Sequence, residues 1–157
     1  MMLESGAAPL IELPALNGER FSLTEHLHEG PVVLAFFKIS CPTCQFTLPF
    51  LGRLYDAQFK GSPCVFGISQ DKAEHTREFN EHFGIHFPVL LDSSGDGYPV
   101  SNAYGITNVP SLFLIGTDGC IEWTLKGFYK VELNELGKRF GRSPFEEGEK
   151  VPTLRPG

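Results

Sequence analysis

The chain has 157 residues, a length typical of one domain with a hydrophobic core of its own. A hydrophobic fraction of 41% with 14 Phe residues indicates a packed globular protein and excludes a disordered one. The net charge is −6 and no Lys/Arg cluster occurs, so we expect no nucleic acid partner and no anionic membrane partner. We expect one domain over residues 1–157, with residues 141–157 as a loosely attached C-terminal tail that holds three prolines.

The start of the chain lacks the features of a secretion signal. Its first fifteen residues have no basic region and no continuous apolar stretch. No segment reaches the roughly 18 apolar residues that a membrane-spanning helix needs. Four cysteines are too few for a disulfide scaffold of this length and are typical of a reducing compartment. We therefore predict a cytoplasmic protein as written, or an exported one if a leader peptide was removed.

Strands and helices alternate along the chain. Asn17-Gly18 is a hairpin turn signal, and a short helix is expected at Ser22–His26 with Thr24 as its cap. The apolar run Val32–Phe37 predicts a buried strand. The later predicted helices are Pro42–Phe59, a helix capped by Asp71 and Glu74 and running to Phe83, a helical turn over Val100–Tyr104, and Val131–Phe140. The later predicted strands are Cys64–Ser69, Phe87–Leu91, Ser111–Ile115 and Cys120–Leu125. This order predicts a mixed sheet with helices on both faces.

The most informative motif is Cys41-Pro42-Thr43-Cys44, which lies between the first buried strand and the helix that follows it. Unpaired amides and the positive end of the helix dipole should stabilise the first sulfur as a thiolate. The second sulfur lies within one helical turn, close enough to form a disulfide. We therefore predict that Cys41 attacks disulfides and that Cys44 resolves the mixed disulfide.

Two structural explanations of the cysteine pair are less favoured. A zinc site would need two further ligands, but Cys64 and Cys120 stand alone and no His is spaced with a Cys. A purely structural disulfide across so short a loop would constrain the unfolded chain very little. We predict redox chemistry carried by the cysteines, with no metal and no cofactor.

The cysteine motif and five further features, in order along the chain, resemble the thioredoxin superfamily, and more narrowly its redoxin branch of AhpC/TSA and TlpA/ResA-type thiol-disulfide oxidoreductases. Besides the cysteine motif, the resemblance rests on Pro49 in the active-site helix, Phe87–Asp92, Tyr104-Gly105-Ile106, Val109-Pro110 and the hairpin over Leu114–Ile121. It covers roughly Leu10–Phe140. The resemblance implies an α/β protein with a thioredoxin-like fold: a central mixed β-sheet, helices on both faces and an N-terminal hairpin extension.

The resemblance also implies a substrate site and a set of partners. Val109-Pro110 falls where the family has a cis-proline, which would expose the backbone of Val109 to an extended substrate segment. Pro42, Thr43 and Pro49 would tune the active-site motif. The expected partners are disulfide-bearing proteins or small thiols and an upstream thiol reductant, in a role in cell redox homeostasis.

Two departures from the family leave the proton acceptor of Cys44 unassigned. Thioredoxins carry a buried Asp where this chain has Ala35, and ResA-like proteins carry a Glu where it has Thr47. One alternative function is a peroxiredoxin-like antioxidant that reduces peroxides through a Cys44 or Cys41 thiolate, although the family's Thr is replaced by Cys41. A lesser alternative is a non-catalytic binding module with a thioredoxin fold.

Overall fold

The computed structural model describes all 157 residues, and a five-stranded mixed sheet runs through its centre. The sheet has the strand order β5-β4-β3-β6-β7 and consists of β3 (Val32–Phe37), β4 (Cys64–Ser69), β5 (Val89–Leu91), β6 (Ser111–Ile115) and β7 (Ile121–Lys126). Strand β3 is parallel to β4 and antiparallel to β6. The predicted mixed sheet is therefore confirmed.

Two short antiparallel sheets lie outside the central one. Strands β1 (Glu12–Pro14) and β2 (Arg20–Ser22) form the predicted N-terminal hairpin. Strands β8 (Phe128–Tyr129) and β9 (Leu154–Arg155) pair near the other end of the chain. The second sheet was not predicted, because two-residue strands have no hydrophobic period that a sequence pattern could reveal.

Five α-helices pack on the central sheet. They are α1 (Leu23–Leu27), α2 (Pro42–Asp56), α3 (Ala73–Phe83), α4 (Pro99–Ala103) and α5 (Lys130–Lys138). None of them is both long and apolar enough to cross a membrane. The predicted helices are all present, with ends that differ from the predicted ones by up to three residues.

Two predicted helix caps are wrong. Helix α1 is capped by Ser22, whose Oγ accepts a hydrogen bond from the Glu25 amide at 3.4 Å, rather than by Thr24. Helix α3 begins after Lys72 and has no side-chain cap. The carboxylate of Asp71 is engaged elsewhere, because it accepts a hydrogen bond from a backbone amide near the cysteine motif.

Strand β3 is buried at all six positions because apolar layers cover both faces of the sheet. On one face Val33, Ala35 and Phe37 pack among side chains of α2, α3 and α5. On the other face alternate residues of the strand pack among side chains of α1, α4 and the N-terminal hairpin. Fully burying one such side chain contributes about 1.5–3 kcal/mol, so the strand that precedes the cysteine motif is rigidly held.

Residues 141–157 fold back along the helix that follows the cysteine motif. The ring of Phe145 lies 4.9 Å from that of Phe50 in α2. The carboxylate of Glu149 accepts two hydrogen bonds from the Arg53 guanidinium, at 2.8 and 2.9 Å. How loosely this segment is attached stays a prediction, which amide hydrogen exchange would test.

Candidate active site

Helix α2 begins at the cysteine motif. Cys41 has extended backbone angles and serves as the N-cap residue, and its Sγ accepts a hydrogen bond from the Cys44 amide at 3.1 Å. Pro42 occupies the first helical position, where its missing N–H leaves no donor unpaired. The half-buried Cys41 sulfur therefore lies against the amide-rich end of the helix, where negative charge is favoured. That Cys41 is held as a thiolate stays a prediction.

Cys44 lies one turn into the helix and is fully buried. Burial is the main cause that raises the pKa of its thiol well above the usual range. A hydrogen bond with Cys41 and the negative charge of Asp71 raise this pKa further. No disulfide bond joins the two cysteines in the structure. The two thiols thus differ in environment, with one at the surface and the other protected behind it.

The loop before β6 reaches the same point. The Val109–Pro110 peptide bond is cis, and the Val109 carbonyl oxygen lies 3.4 Å from the Cys41 sulfur, which donates to it as a thiol. The structure therefore brings Val109 and Pro110, predicted to bind substrate, next to the predicted nucleophile. Their role in binding stays a prediction.

Asp71 belongs to the site, whereas the sequence pattern predicted only a helix cap for it. Its Oδ2 accepts a hydrogen bond from the Ile39 amide at 2.8 Å, which holds the loop that leads into the cysteine motif. The contact follows from the sheet, because β3 and β4 are parallel and Phe37 is in register with Ser69. Two residues beyond that pair, Ile39 and Asp71 leave the same edge of the sheet.

The motif residues Thr43 and Pro49 lie in different surroundings. Thr43 is buried, and its Oγ1 donates a hydrogen bond to the Pro156 carbonyl at 2.7 Å. Pro49 lies in the interior of α2, farther along the helix. Thr47, which stands where related proteins carry a Glu, is fully buried and donates to the Thr43 carbonyl at 2.7 Å. The influence of these residues on the redox chemistry stays a prediction.

The other two cysteines do not join the site. Cys64 begins β4, where burial raises the pKa of its thiol, and Cys120 lies in the turn before β7. No three His, Cys, Asp or Glu side chains are grouped so that they could hold a metal ion.

The chain is similar in sequence to one protein family and to several known proteins. The model of the AhpC/TSA family matches residues 5–124. The chain is 29% identical to the thiol-disulfide oxidoreductase ResA of Geobacillus thermodenitrificans over 121 residues, which cover 76% of this chain and 67% of that protein. It is 26% identical to ResA of Bacillus thuringiensis subsp. konkukian over 134 residues, which cover 84% of this chain and 75% of that protein.

Solved structures show the same fold. The thioredoxin domain of a Bacteroides vulgatus thiol-disulfide oxidoreductase superimposes with a TM-score of 0.70 at 25% identity, over 79% of this chain and 89% of that one. A putative protein disulfide isomerase from Bacteroides thetaiotaomicron gives a TM-score of 0.78 at 20% identity, over 91% and 94% of the two chains. These likenesses confirm the predicted thioredoxin-like fold and redoxin branch, and with the family match over most of its length the chain belongs to the AhpC/TSA family.

Proposed function

We propose that the protein is a thiol-disulfide oxidoreductase that exchanges a Cys41–Cys44 dithiol/disulfide pair with disulfide substrates. The observation that carries the proposal is the unequal environment of two adjacent thiols. The Cys41 sulfur is half-buried at the start of α2, whereas Cys44 is fully buried one turn behind it. The chain's similarity to two proteins named thiol-disulfide oxidoreductase ResA supports the same activity.

The reaction begins when the Cys41 thiolate attacks one sulfur of a substrate disulfide. The substrate S–S bond breaks, a mixed disulfide forms at Cys41, and the other substrate sulfur leaves as a thiolate that takes up a proton. Cys44 then loses its proton and attacks the Cys41 sulfur. This step forms the Cys41–Cys44 disulfide and releases the second substrate thiol, so two electrons pass from the protein to the substrate.

The neighbours of the two sulfurs fit these steps. The Cys44 amide, 3.1 Å from the Cys41 sulfur, stabilises negative charge there before attack and after departure. Burial and, to a smaller extent, the negative charge of Asp71 oppose ionisation of Cys44, so the second thiol stays protonated in the reduced protein. The cycle needs a dithiol or monothiol reductant to regenerate the reduced pair, or an oxidant if the protein works in the opposite direction.

Peroxide reduction through Cys44 is less well supported. A peroxidatic cysteine reacts as an accessible thiolate, whereas Cys44 is fully buried and burial raises the pKa of its thiol. An antioxidant role through Cys41 would need only reversible oxidation of an accessible thiol. The variant Cys41→Ser separates the functions, because a peroxidase using Cys44 would still react with peroxide in a single turnover.

The test is a single-turnover reaction of the reduced protein with an excess of a model disulfide. We expect the wild-type protein to form one intramolecular disulfide per chain, identified by mass after peptide digestion as Cys41 linked to Cys44. The variant Cys44→Ser should stop at the mixed disulfide, and Cys41→Ser should not react. The matched control Cys64→Ser should behave as wild type. A wild-type protein that reduces no disulfide, or a Cys41→Ser variant that still does, would contradict the proposal.

We propose that the protein is located in the cytoplasm, with export from the cell as the alternative. The low number of cysteines supports the first location. Cell fractionation with an antibody against the protein distinguishes the two locations.

A further inference from the structure

A short segment of the chain, Thr153–Gly157, crosses the candidate active site and is here called the strap. It enters through a backbone hydrogen bond in which the Lys130 amide donates to the Thr153 carbonyl at 2.9 Å. Its next two residues form β9, which pairs with β8 in the antiparallel register Tyr129↔Leu154 and Phe128↔Arg155. The strap thus adds a strand to the molecule and carries the following residues toward the start of α2.

The last two residues of the strap contact the predicted substrate site directly. The Pro156 carbonyl accepts a hydrogen bond from Oγ1 of Thr43 at 2.7 Å. Thr43 lies between the two active-site cysteines in the sequence. The backbone of Gly157 lies so close to Val109 that a Cβ atom added there would come within 2.2 Å of the Val109 carbonyl oxygen and 2.9 Å of its carbon. The Cys41 sulfur contacts that same carbonyl oxygen at 3.4 Å.

The strap therefore occupies the position that an extended substrate segment would take. The pairing with β8 is the kind of contact by which a sheet edge receives an added strand, and the Thr43 hydrogen bond and the close approach to Val109 bring the strap to the cysteines. A small residue is required where the segment passes Val109, because Gly157 leaves no space for a side chain toward that carbonyl.

Clefts of about 460, 520 and 530 Å³ in the molecule are lined by neither cysteine of the motif. A polypeptide, unlike a small molecule, could pair with the backbone of β8 that the strap now engages.

Few contacts attach the strap to the rest of the protein. Its ladder with β8 is two residues long, and Pro156 and Gly157 are exposed. Leu154 leaves 51% of its surface exposed, and only the Arg155 guanidinium packs on an aromatic ring, 4.7 Å from the centre of Phe46. Short, exposed elements of this kind open locally without global unfolding.

We infer that the strap occupies the substrate-docking surface in the free protein, and that an extended substrate segment must displace it beside Val109 before Cys41 can react. This inference rests on the proposed function and adds a regulatory element within the same chain. The disulfide exchange itself is unchanged, with Cys41 attacking and Cys44 resolving.

The first test follows the strap while a substrate is attached. The Cys44→Ser protein is converted to mixed disulfides with a cysteine-containing extended peptide and, separately, with 2-mercaptoethanol. We expect amide hydrogen exchange across Leu154–Arg155 to rise at least tenfold in the peptide adduct and to stay unchanged in the small adduct. Equal protection of these amides in both adducts would overturn the inference.

The second test expels the strap by substitution. In Gly157→Ala the new methyl group clashes with the Val109 carbonyl, so the docking edge should be free more of the time. We expect this variant to reduce a peptide disulfide about three- to tenfold faster than wild type, because the competent fraction of molecules is larger. Its rate with hydroxyethyl disulfide should stay within about twofold, because that disulfide needs no backbone pairing. The matched control is Glu147→Ala, an exposed position in the same tail.

The outcomes separate the two proposals. If wild type reduces neither disulfide, the proposed function fails. If wild type reduces both, but Gly157→Ala leaves the peptide rate unchanged or lowers it, the inference about the strap fails and the proposed function stands.

Discussion

The buried environment of Cys44 predicts an unusual pH dependence for the second step of the reaction. The rate at which Cys44 attacks a mixed disulfide is proportional to its thiolate fraction. For a thiol with an ordinary pKa of about 8.5–9, that fraction rises about four- to tenfold between pH 8 and pH 10 and then levels off. Burial raises the pKa of Cys44 well above this range, so its thiolate fraction should rise about 100-fold over the same interval.

The rate of the resolving step should increase with pH because burial raises the pKa of Cys44. Burial penalises the charged form of an acid, so the neutral thiol persists to higher pH and the resolving step is slow at neutral pH. Forming a mixed disulfide at Cys41 removes the hydrogen bond between the two thiols, which is one of the causes that raise the pKa of Cys44. The larger cause, burial, remains. The expected slope is therefore close to a tenfold increase in rate per pH unit.

The assay starts from a mixed disulfide between Cys41 and an aromatic thiol that absorbs light when released. The complex is formed at acidic pH, where Cys44 is inactive, and release is followed after a jump to each pH. The Cys44→Ser variant measures release by hydroxide, and far-UV circular dichroism confirms that the protein stays folded. A rise of only four- to tenfold, or a plateau near pH 9.5, would refute the argument from burial.

Three further predictions follow from charged groups. Asp71→Asn should speed resolution at a fixed pH, because the negative charge that raises the pKa of Cys44 is lost while an acceptor for the backbone amide remains; a slower rate in the same assay would contradict this. Asp92→Ala should lower the free energy of unfolding in urea by about 2–5 kcal/mol, because the buried carboxylate accepts hydrogen bonds from two backbone amides of α4. A loss below about 1 kcal/mol would be too small for two buried amides left without a partner. Hydrogen bonds from Arg53 are the main cause that lowers the pKa of Glu149 to about 2, so the protection of amides 146–150 from hydrogen exchange should be lost as the pH falls from 4.5 toward 2. In Glu149→Gln this protection should not depend on pH over the same range.

The sequence alone determined the alternation of strands and helices, because each buried element carries a clear hydrophobic period. The six apolar residues of Val32–Phe37 predicted a strand covered on both faces, and the structure shows burial at all six. Cys41 and Cys44 could be predicted as the reactive pair for the same reason, since their spacing and the change of period around them are both local features. Two-residue strands such as β8 and β9 have no such period and could not be predicted.

Which distant residues meet at the cysteines depends on how the elements pack in three dimensions. Asp71 reaches the Ile39 amide because two parallel strands end in register, and no pattern within either segment records that pairing on its own. The strap reaches Thr43 from a position 113 residues later in the chain. Contacts of this kind depend on how elements pack, and packing is set by many weak interactions spread over the whole chain rather than by the residues that touch.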